Sequence, residues 1–284
     1  MTDDQYPPKS GRRRFVKGVV GGSALAGAGT GGAAVIDAAT ADRGEGGGAT
    51  RYRGARNVAG PAPRAMPQIP LTIDDEGYLR GIWPETKEIE RDNETVTVAR
   101  EELGGVTYSR KWFQYCGVQN YPGLRLEDRD NYLRYVEVPP ANYRWQSAAE
   151  PGSKLHVDDF ADYEEWGNGI GDAGVGKPAR ARWRSEELPE GAGDLVLPVV
   201  VIRSPRVEEL AADSEWLSAS TEEGFLAILN KCTHFCCNPG YKESSVSAKF
   251  EAENAIYCGC HQSVYDPFDV VERVFTALPR REGL

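Results

Sequence analysis

Histidine is scarce in this chain of 284 residues: His156, His234 and His261 are the only three. That scarcity sets a limit. A chain that commits two of them to one metal centre has no pair left for a second, two-histidine, one-carboxylate iron site. Positive charge is also short. The formal charge is −10, with 33 Lys plus Arg against 43 Asp plus Glu. Five basic and three acidic residues fall within 1–41, which leaves −12 on the remainder. An acidic body argues against nucleic-acid binding and suits a cationic or high-salt setting. Lysines are few and arginines many, a pattern associated with salt-loving archaea. Six cysteines in a chain of this length do not make a disulfide scaffold. Helix signals are few as well, and 205–216 is the best short candidate.

What the chain does have is strand pattern. Residues 94–98 (Glu-Thr-Val-Thr-Val) and 132–138 (Tyr-Leu-Arg-Tyr-Val-Glu-Val) alternate with period two. Residues 195–202 form an apolar run with one break at Pro198, and 224–230 form another. The pattern predicts a mainly β protein. Residues 42–70 are rich in Gly, Arg, Ala and Pro and read as a flexible linker. Residues 71–190 read as a β-rich extension or insertion dense in Tyr and Trp, which points to core rather than to a cofactor box. A role in docking a partner subunit is the other reading of that region. His156 sits in the polar stretch 154–158 and reads as an ordinary surface histidine.

Two short segments near the C-terminus carry the chemistry. One is Cys232-Thr233-His234-Phe235-Cys236-Cys237, and the other is Cys258-Gly259-Cys260-His261-Gln262-Ser263-Val264-Tyr265. Each offers one Cys and one His as metal ligands, with a further Cys placed to tie the segments together. The pair resembles the Cys-x-His-x-x-Cys and Cys-x-Cys-His-x-Ser-x-Tyr loops of the Rieske 2Fe–2S family, whose clusters replace two Cys by two His on one iron. The resemblance covers both motifs and roughly residues 191–284. It implies that Cys232 and Cys258 bind one iron of a 2Fe–2S cluster and that His234 and His261 bind the other. It also implies a Cys237–Cys260 disulfide, and hydrogen bonds from Ser263 and Tyr265 to cluster sulfurs. Those two hydroxyls point to the upper part of the Rieske range of about −150 to +300 mV. The fold it implies is an antiparallel β-sandwich or barrel with a small cluster-binding subdomain, the loops lying at 232–240 and 258–267.

Three departures from the family pattern stand out. Cys236 occupies the place of the usual Gly before the disulfide Cys, and offers Cys260 an alternative partner. Cys116 lies far away in sequence and reads as a buried or free thiol. The Gly- and Pro-rich loop that usually follows the second motif and covers the cluster has only 276–279 (Thr-Ala-Leu-Pro) as an imperfect match, and the usual final strand is short or missing. A structural zinc site built from the same Cys and His residues is the alternative. It accounts neither for a second cysteine pair nor for the Ser-x-Tyr that follows.

The N-terminus supplies an address. Residues 12–17 (Arg-Arg-Arg-Phe-Val-Lys) resemble the twin-arginine core that exports folded proteins. The 19 uncharged residues from 18 to 36 approach the roughly 20 needed to span a bilayer. Cleavage near Ala39-Thr40-Ala41 and retention of 1–41 as a signal-anchor helix are both open. The resemblance favours retention, with the domain on the extracytoplasmic face of the cell membrane, where a disulfide persists. It implies the iron–sulfur subunit of a membrane quinol-oxidising complex, partnered by a cytochrome b-type subunit. His261 would contact quinol, and the electron would pass to a cytochrome or cupredoxin. An electron-transfer subunit of an exported molybdenum enzyme, of the arsenite oxidase or nitrate reductase type, is the second reading. A Rieske oxygenase is excluded by the histidine count. A short cytoplasmic Rieske ferredoxin fits poorly with the export signal and the disulfide pair.

Overall fold

Every side chain of Phe225–Leu229 is buried, and the strand faces two different cores. Phe225, Ala227 and Leu229 point into one apolar cluster, while Leu226 and Ile228 point into another. The period-two pleat accounts for the split. The computed structural model describes residues 47–91, 93–126, 129–139, 141–185 and 196–280. The export-signal and anchor expectations for 1–41 lie outside the described residues. Among the described residues, no helix is long and apolar enough to cross a membrane.

The strands in chain order are β1 (Gly48–Ala59), β2 (Met66–Ile69), β3 (Leu71–Ile73), β4 (Leu79–Gly81), β5 (Thr86–Arg91), β6 (Glu94–Leu103) and β7 (Val106–Ser109). They continue with β8 (Leu133–Tyr135), β9 (Lys177–Trp183), β10 (Leu197–Arg203), β11 (Phe225–Leu229), β12 (Gly240–Tyr241), β13 (Ile256–Cys258) and β14 (Ser263–Ala277). Nine of them form one curled sheet in the order β12-β13-β14-β1-β2-β11-β10-β9-β8, and the pairings between neighbours are antiparallel. A hairpin β3–β4 and a three-stranded sheet β5–β6–β7 lie outside it. The mainly β expectation therefore holds. The candidate helix at 205–216 becomes two, α1 (Pro205–Ala212) and α2 (Glu215–Ser220). Ser204 caps the first start and Ser214 divides the stretch by capping a second, each hydroxyl accepting a backbone N–H.

The linker expected over 42–70 is corrected from residue 48 onward. β1 pairs with β14 from Gly48↔Ala277 to Ala59↔Val264, and β2 joins β1 to β11. Composition misled here because the arginines of β1 are strand residues facing acids across the ladder. Arg51 and Arg53 meet Glu272 at 3.0 and 3.3 Å, and Arg56 meets Asp269 at 2.9 Å. Cross-strand opposite charges of this kind support register, while exposed pairs add little energy. Tyr52, Gly54 and Ala55 turn inward. Gly54 is required, since a Cβ there would lie 2.2 Å from the Met66 carbonyl oxygen. β1 thus lies inside the sheet, between β14 and β2, and the final strand expected to be short or missing is the 15-residue β14.

The boundary expected at 190/191 does not divide the sheet. β9 pairs with β10 over seven residues, and the larger core draws on positions from Tyr52 to Ala277. Trp112, Phe113, Tyr115 and Trp183 of the expected extension are buried in that core, so they are not docking aromatics. At roughly 1.5–3 kcal/mol per large apolar side chain, they rank among its strongest contributors. His156 is more than a surface residue. Its Nδ1 accepts the Asp158 N–H at 3.2 Å and caps the short helix Val157–Phe160. The smaller core, on the other face of β10 and β11, contains Ala62, Met66, Ile256, Tyr265 and two unpaired cysteines, Cys232 and Cys258.

Candidate metal centre

Both cysteine–histidine segments emerge from this smaller core. β11 ends at Leu229 and the chain passes Asn230 and Lys231 into the first loop, which returns through β12. Two backbone hydrogen bonds fold it tightly, Cys232 N–H to the Cys237 carbonyl at 2.7 Å and Cys236 N–H to the Cys232 carbonyl at 3.1 Å. The second loop is a hairpin closed by the pair Cys258↔Ser263, with residues 259–262 at its tip. Gln262, at φ 61°, turns the chain back.

The two thiols meet inside. Cys232 and Cys258 are almost fully buried. Their sulfurs are hydrogen-bonded to each other, and this shared proton pushes the Cys232 thiol down to about 5, with burial opposing and Tyr265 assisting. The same bond pushes Cys258 up. A soft metal binding both sulfurs would displace the proton held on Cys258, because thiolate is the ligating form. In the same two loops, the His234 and His261 rings lie 4.8 Å apart, almost perpendicular. His234 is half-buried and His261 exposed.

Hydroxyl groups surround the first sulfur. The Tyr265 hydroxyl lies 3.2 Å from the Cys232 sulfur, and it accepts the Thr233 N–H at 3.0 Å. Burial and the Cys232 hydrogen bond push the Tyr265 phenol up, so it stays protonated and able to donate. Ser263 is fully buried and its hydroxyl has no partner, and His234 Nδ1 is likewise buried and unpartnered. These two orphaned atoms belong to the donor loops, Ser263 opposite Cys258 in the hairpin and His234 two residues from Cys232. Two soft sulfurs with two imidazoles suit iron–sulfur or zinc chemistry, and the orphaned atoms fit a group with acceptor or metal atoms of its own. The sulfurs of Cys237, Cys258 and Cys260 also lie within 4.8 Å of one another. Of these only Cys258 is a free thiol, because Cys237 and Cys260 are bonded together. A disulfide sulfur is not a thiolate ligand.

The structure has two disulfides. Cys237–Cys260 ties loop to loop. Cys116–Cys236 corrects the reading of Cys116 as a free thiol and of Cys236 as a rival partner for Cys260. Cys236 takes a left-handed backbone, at φ 66°, a conformation that favours glycine. Cysteine arithmetic was the overlooked signal: two ligand cysteines and one disulfide leave two of the six unassigned.

Residues 276–279 lie at the end of β14, paired near Gly48, where the Leu278 N–H bonds to the Gln114 carbonyl, two residues from Cys116. A different segment touches both donor loops. The covering loop is Gly60-Pro61-Ala62-Pro63-Arg64, between β1 and β2. Its Arg64 carbonyl accepts the Thr233 hydroxyl at 2.7 Å, and Ala62 packs in the same core as Cys232 and Cys258. A Cβ on Gly60 would lie 2.3 Å from the Gln262 carbonyl oxygen. The Gly-Pro-Ala-Pro run was itself the available signal, at the opposite end of the chain from where such a loop was sought. Exposed residues around His261 complete the surface: Phe235, 66% exposed, stacks its ring 5.1 Å from that of His261. Residues 58–63, 232–239 and 258–265 contain no Asp, Glu, Lys or Arg. No protein-family model, no curated protein and no solved structure matches this chain.

Proposed function

We propose that this chain is a Rieske-type 2Fe–2S electron carrier, the iron–sulfur subunit of a membrane quinol-oxidising complex of the cytochrome bc type. The observation that carries the reading is the convergence of two free buried thiols and two facing imidazoles from loops 26 residues apart, with Tyr265 on one sulfur and an unpartnered Ser263 hydroxyl beside them. Cys232 and Cys258 hold one iron, and His234 and His261 hold the other. When bound, the cluster supplies one-electron transfer at a raised potential, because neutral imidazoles leave it less negative than four thiolates do.

The chain's own residues do the rest. Tyr265 donates to the Cys232 sulfur and favours the reduced state. The Ser263 hydroxyl is the second donor. Cys237–Cys260 holds the two donor pairs in register. His261, exposed at the hairpin tip, is the quinol contact, and its outer ring nitrogen takes the quinol proton as the electron passes inward. The exposed Phe235 ring beside it, on donor loops without a charged residue in a chain of net charge −10, suits an apolar ring and an apolar partner surface. A cytochrome b-type subunit supplies the other half of that site, and a cytochrome or cupredoxin takes the electron.

The test is a redox titration against pH of the full-length protein, followed by electron paramagnetic resonance, with iron, zinc and acid-labile sulfide assayed. Equal iron and sulfide, a paramagnetic signal on reduction and a high potential that falls as pH rises are expected. A low potential flat across neutral pH would move the protein to an electron-relay role. Zinc without a paramagnetic signal would overturn the reading.

A further inference from the structure

The two disulfides do different mechanical work. Cys237–Cys260 joins two residues that both belong to the donor loops, and Cys260 is exposed. It sets the loops relative to each other and fastens neither to the body. Cys116–Cys236 does the latter. Cys116 lies in a segment whose Trp112, Phe113, Tyr115 and Val118 are at most 2% exposed in the larger core. The same segment is bonded to the first loop and to the end of β14. The Tyr115 hydroxyl donates to the Lys231 carbonyl at 2.8 Å, and the Leu278 N–H donates to the Gln114 carbonyl at 2.8 Å.

On either side of the first loop's crest, polar contacts reach the body. Thr233 bonds to Arg64, and Arg180 donates to the Pro239 carbonyl at 3.3 Å. At the crest itself the tie is covalent, beside Phe235 and two residues from His234. Both half-cystines sit at positive φ, 54° for Cys116 and 66° for Cys236. Non-glycine residues persist there only where the surroundings over-determine them. A glycine would serve the turn at 236 without strain. A cysteine there has a use only in what it bonds.

We propose that Cys116 and Cys236 are positioning residues. Their bond fixes the pose of the donor-loop pair, and with it the Phe235–His261 docking face, on the body of the protein, while Cys237–Cys260 fixes the donor geometry within the pair. The proposal rests on the preceding functional reading only for what the loops hold.

The experiment compares the wild-type protein with the Cys116→Ala/Cys236→Gly variant, in which glycine keeps the left-handed turn. Tryptic mapping without reductant comes first and should find residues 112–125 joined to 232–242 in the wild type. Hydrogen exchange is then read across 232–237 and 110–118. Exchange in 232–237 is expected to rise at least about tenfold in the variant while 110–118 stays protected, since local opening scales with lost anchoring. Iron loading and the shape of the paramagnetic signal are expected to be unchanged, because no donor and no loop–loop tie is touched. Unchanged exchange would overturn the proposal, as would absence of the 112–125 cross-link. Should the double variant fail to fold, the Cys237→Ser/Cys260→Ser protein takes its place. There a water-soluble phosphine can open only Cys116–Cys236, and the same exchange readout decides. If neither wild type nor variant binds iron, the functional reading fails while the exchange result still stands.

Discussion

Removing one oxygen atom, with Tyr265→Phe, separates the centre's electrostatics from its packing. The ring remains in the smaller core, and only the hydroxyl is lost. That hydroxyl lies 3.2 Å from the Cys232 sulfur, 3.2 Å from the Thr233 hydroxyl, and accepts the Thr233 N–H at 3.0 Å. Its loss leaves a buried N–H unpaired, at a cost of about 1–3 kcal/mol. For a domain of this size about 2 kcal/mol corresponds to a melting point lower by roughly 4–8 °C. The loss applies to the metal-free protein, where the Thr233 bond is present. The redox effect is separate. A hydrogen bond to a charged acceptor contributes about 1.5–3 kcal/mol, and it strengthens as the sulfur gains negative charge. If about 1.4 kcal/mol of it differs between the oxidised and reduced states, the potential falls by about 59 mV for one electron. The assay is a potentiometric titration followed by paramagnetic resonance, with a thermal melt of the metal-free protein alongside. An assembled centre with unchanged potential would refute the hydrogen-bond argument. An unchanged melt would refute the role of Tyr265 in holding the first loop.

Four further outcomes follow from the same geometry. Ser263→Ala should lower the potential of the loaded protein yet leave the metal-free protein as stable or slightly more so, since it removes an unpartnered buried hydroxyl; a clear loss of metal-free stability, read by denaturant titration, would show that the hydroxyl already has a structural partner. His261→Ala should abolish the paramagnetic signal by removing a ligand, and a normal signal would make the ligand assignment wrong. Gly60→Ala should destabilise by about 2–4 kcal/mol, combining a left-handed backbone at φ 82° with overpacking against the Gln262 carbonyl; a variant with the wild-type unfolding midpoint would mean that the cover does not press on the hairpin. Glu243→Gln should cost about 3–5 kcal/mol by leaving Arg180 short of its counter-charge in a mostly buried pair, whereas Arg180→Met/Glu243→Leu should recover most of it; equal losses in both variants would place the effect in shape rather than charge.

What the sequence alone determined was local. The alternation of 94–98 and the apolar run of 224–230 specify strands, because side-chain period and burial are properties of neighbouring residues. The donor residues at 232–237 and 258–265 were legible for the same reason, since ligand type and spacing within a short loop are local chemistry. Residues 48–69 were not legible. Their glycines, prolines and arginines resemble a linker until β14, more than 200 residues away, supplies Glu272 and Asp269 opposite Arg51, Arg53 and Arg56. The same holds for Cys116, whose partner lies 120 residues along the chain, and for the Gly60–Arg64 cover, which reaches the donor loops only because β1 runs antiparallel to β14. Strand pairing and disulfide choice at such separations are decided by loop closure and the burial of whole faces, and no window of sequence contains both partners. The tertiary structure alone decided which strand joins β14 to the rest of the sheet, what covers the donors and what fastens their loops to the core.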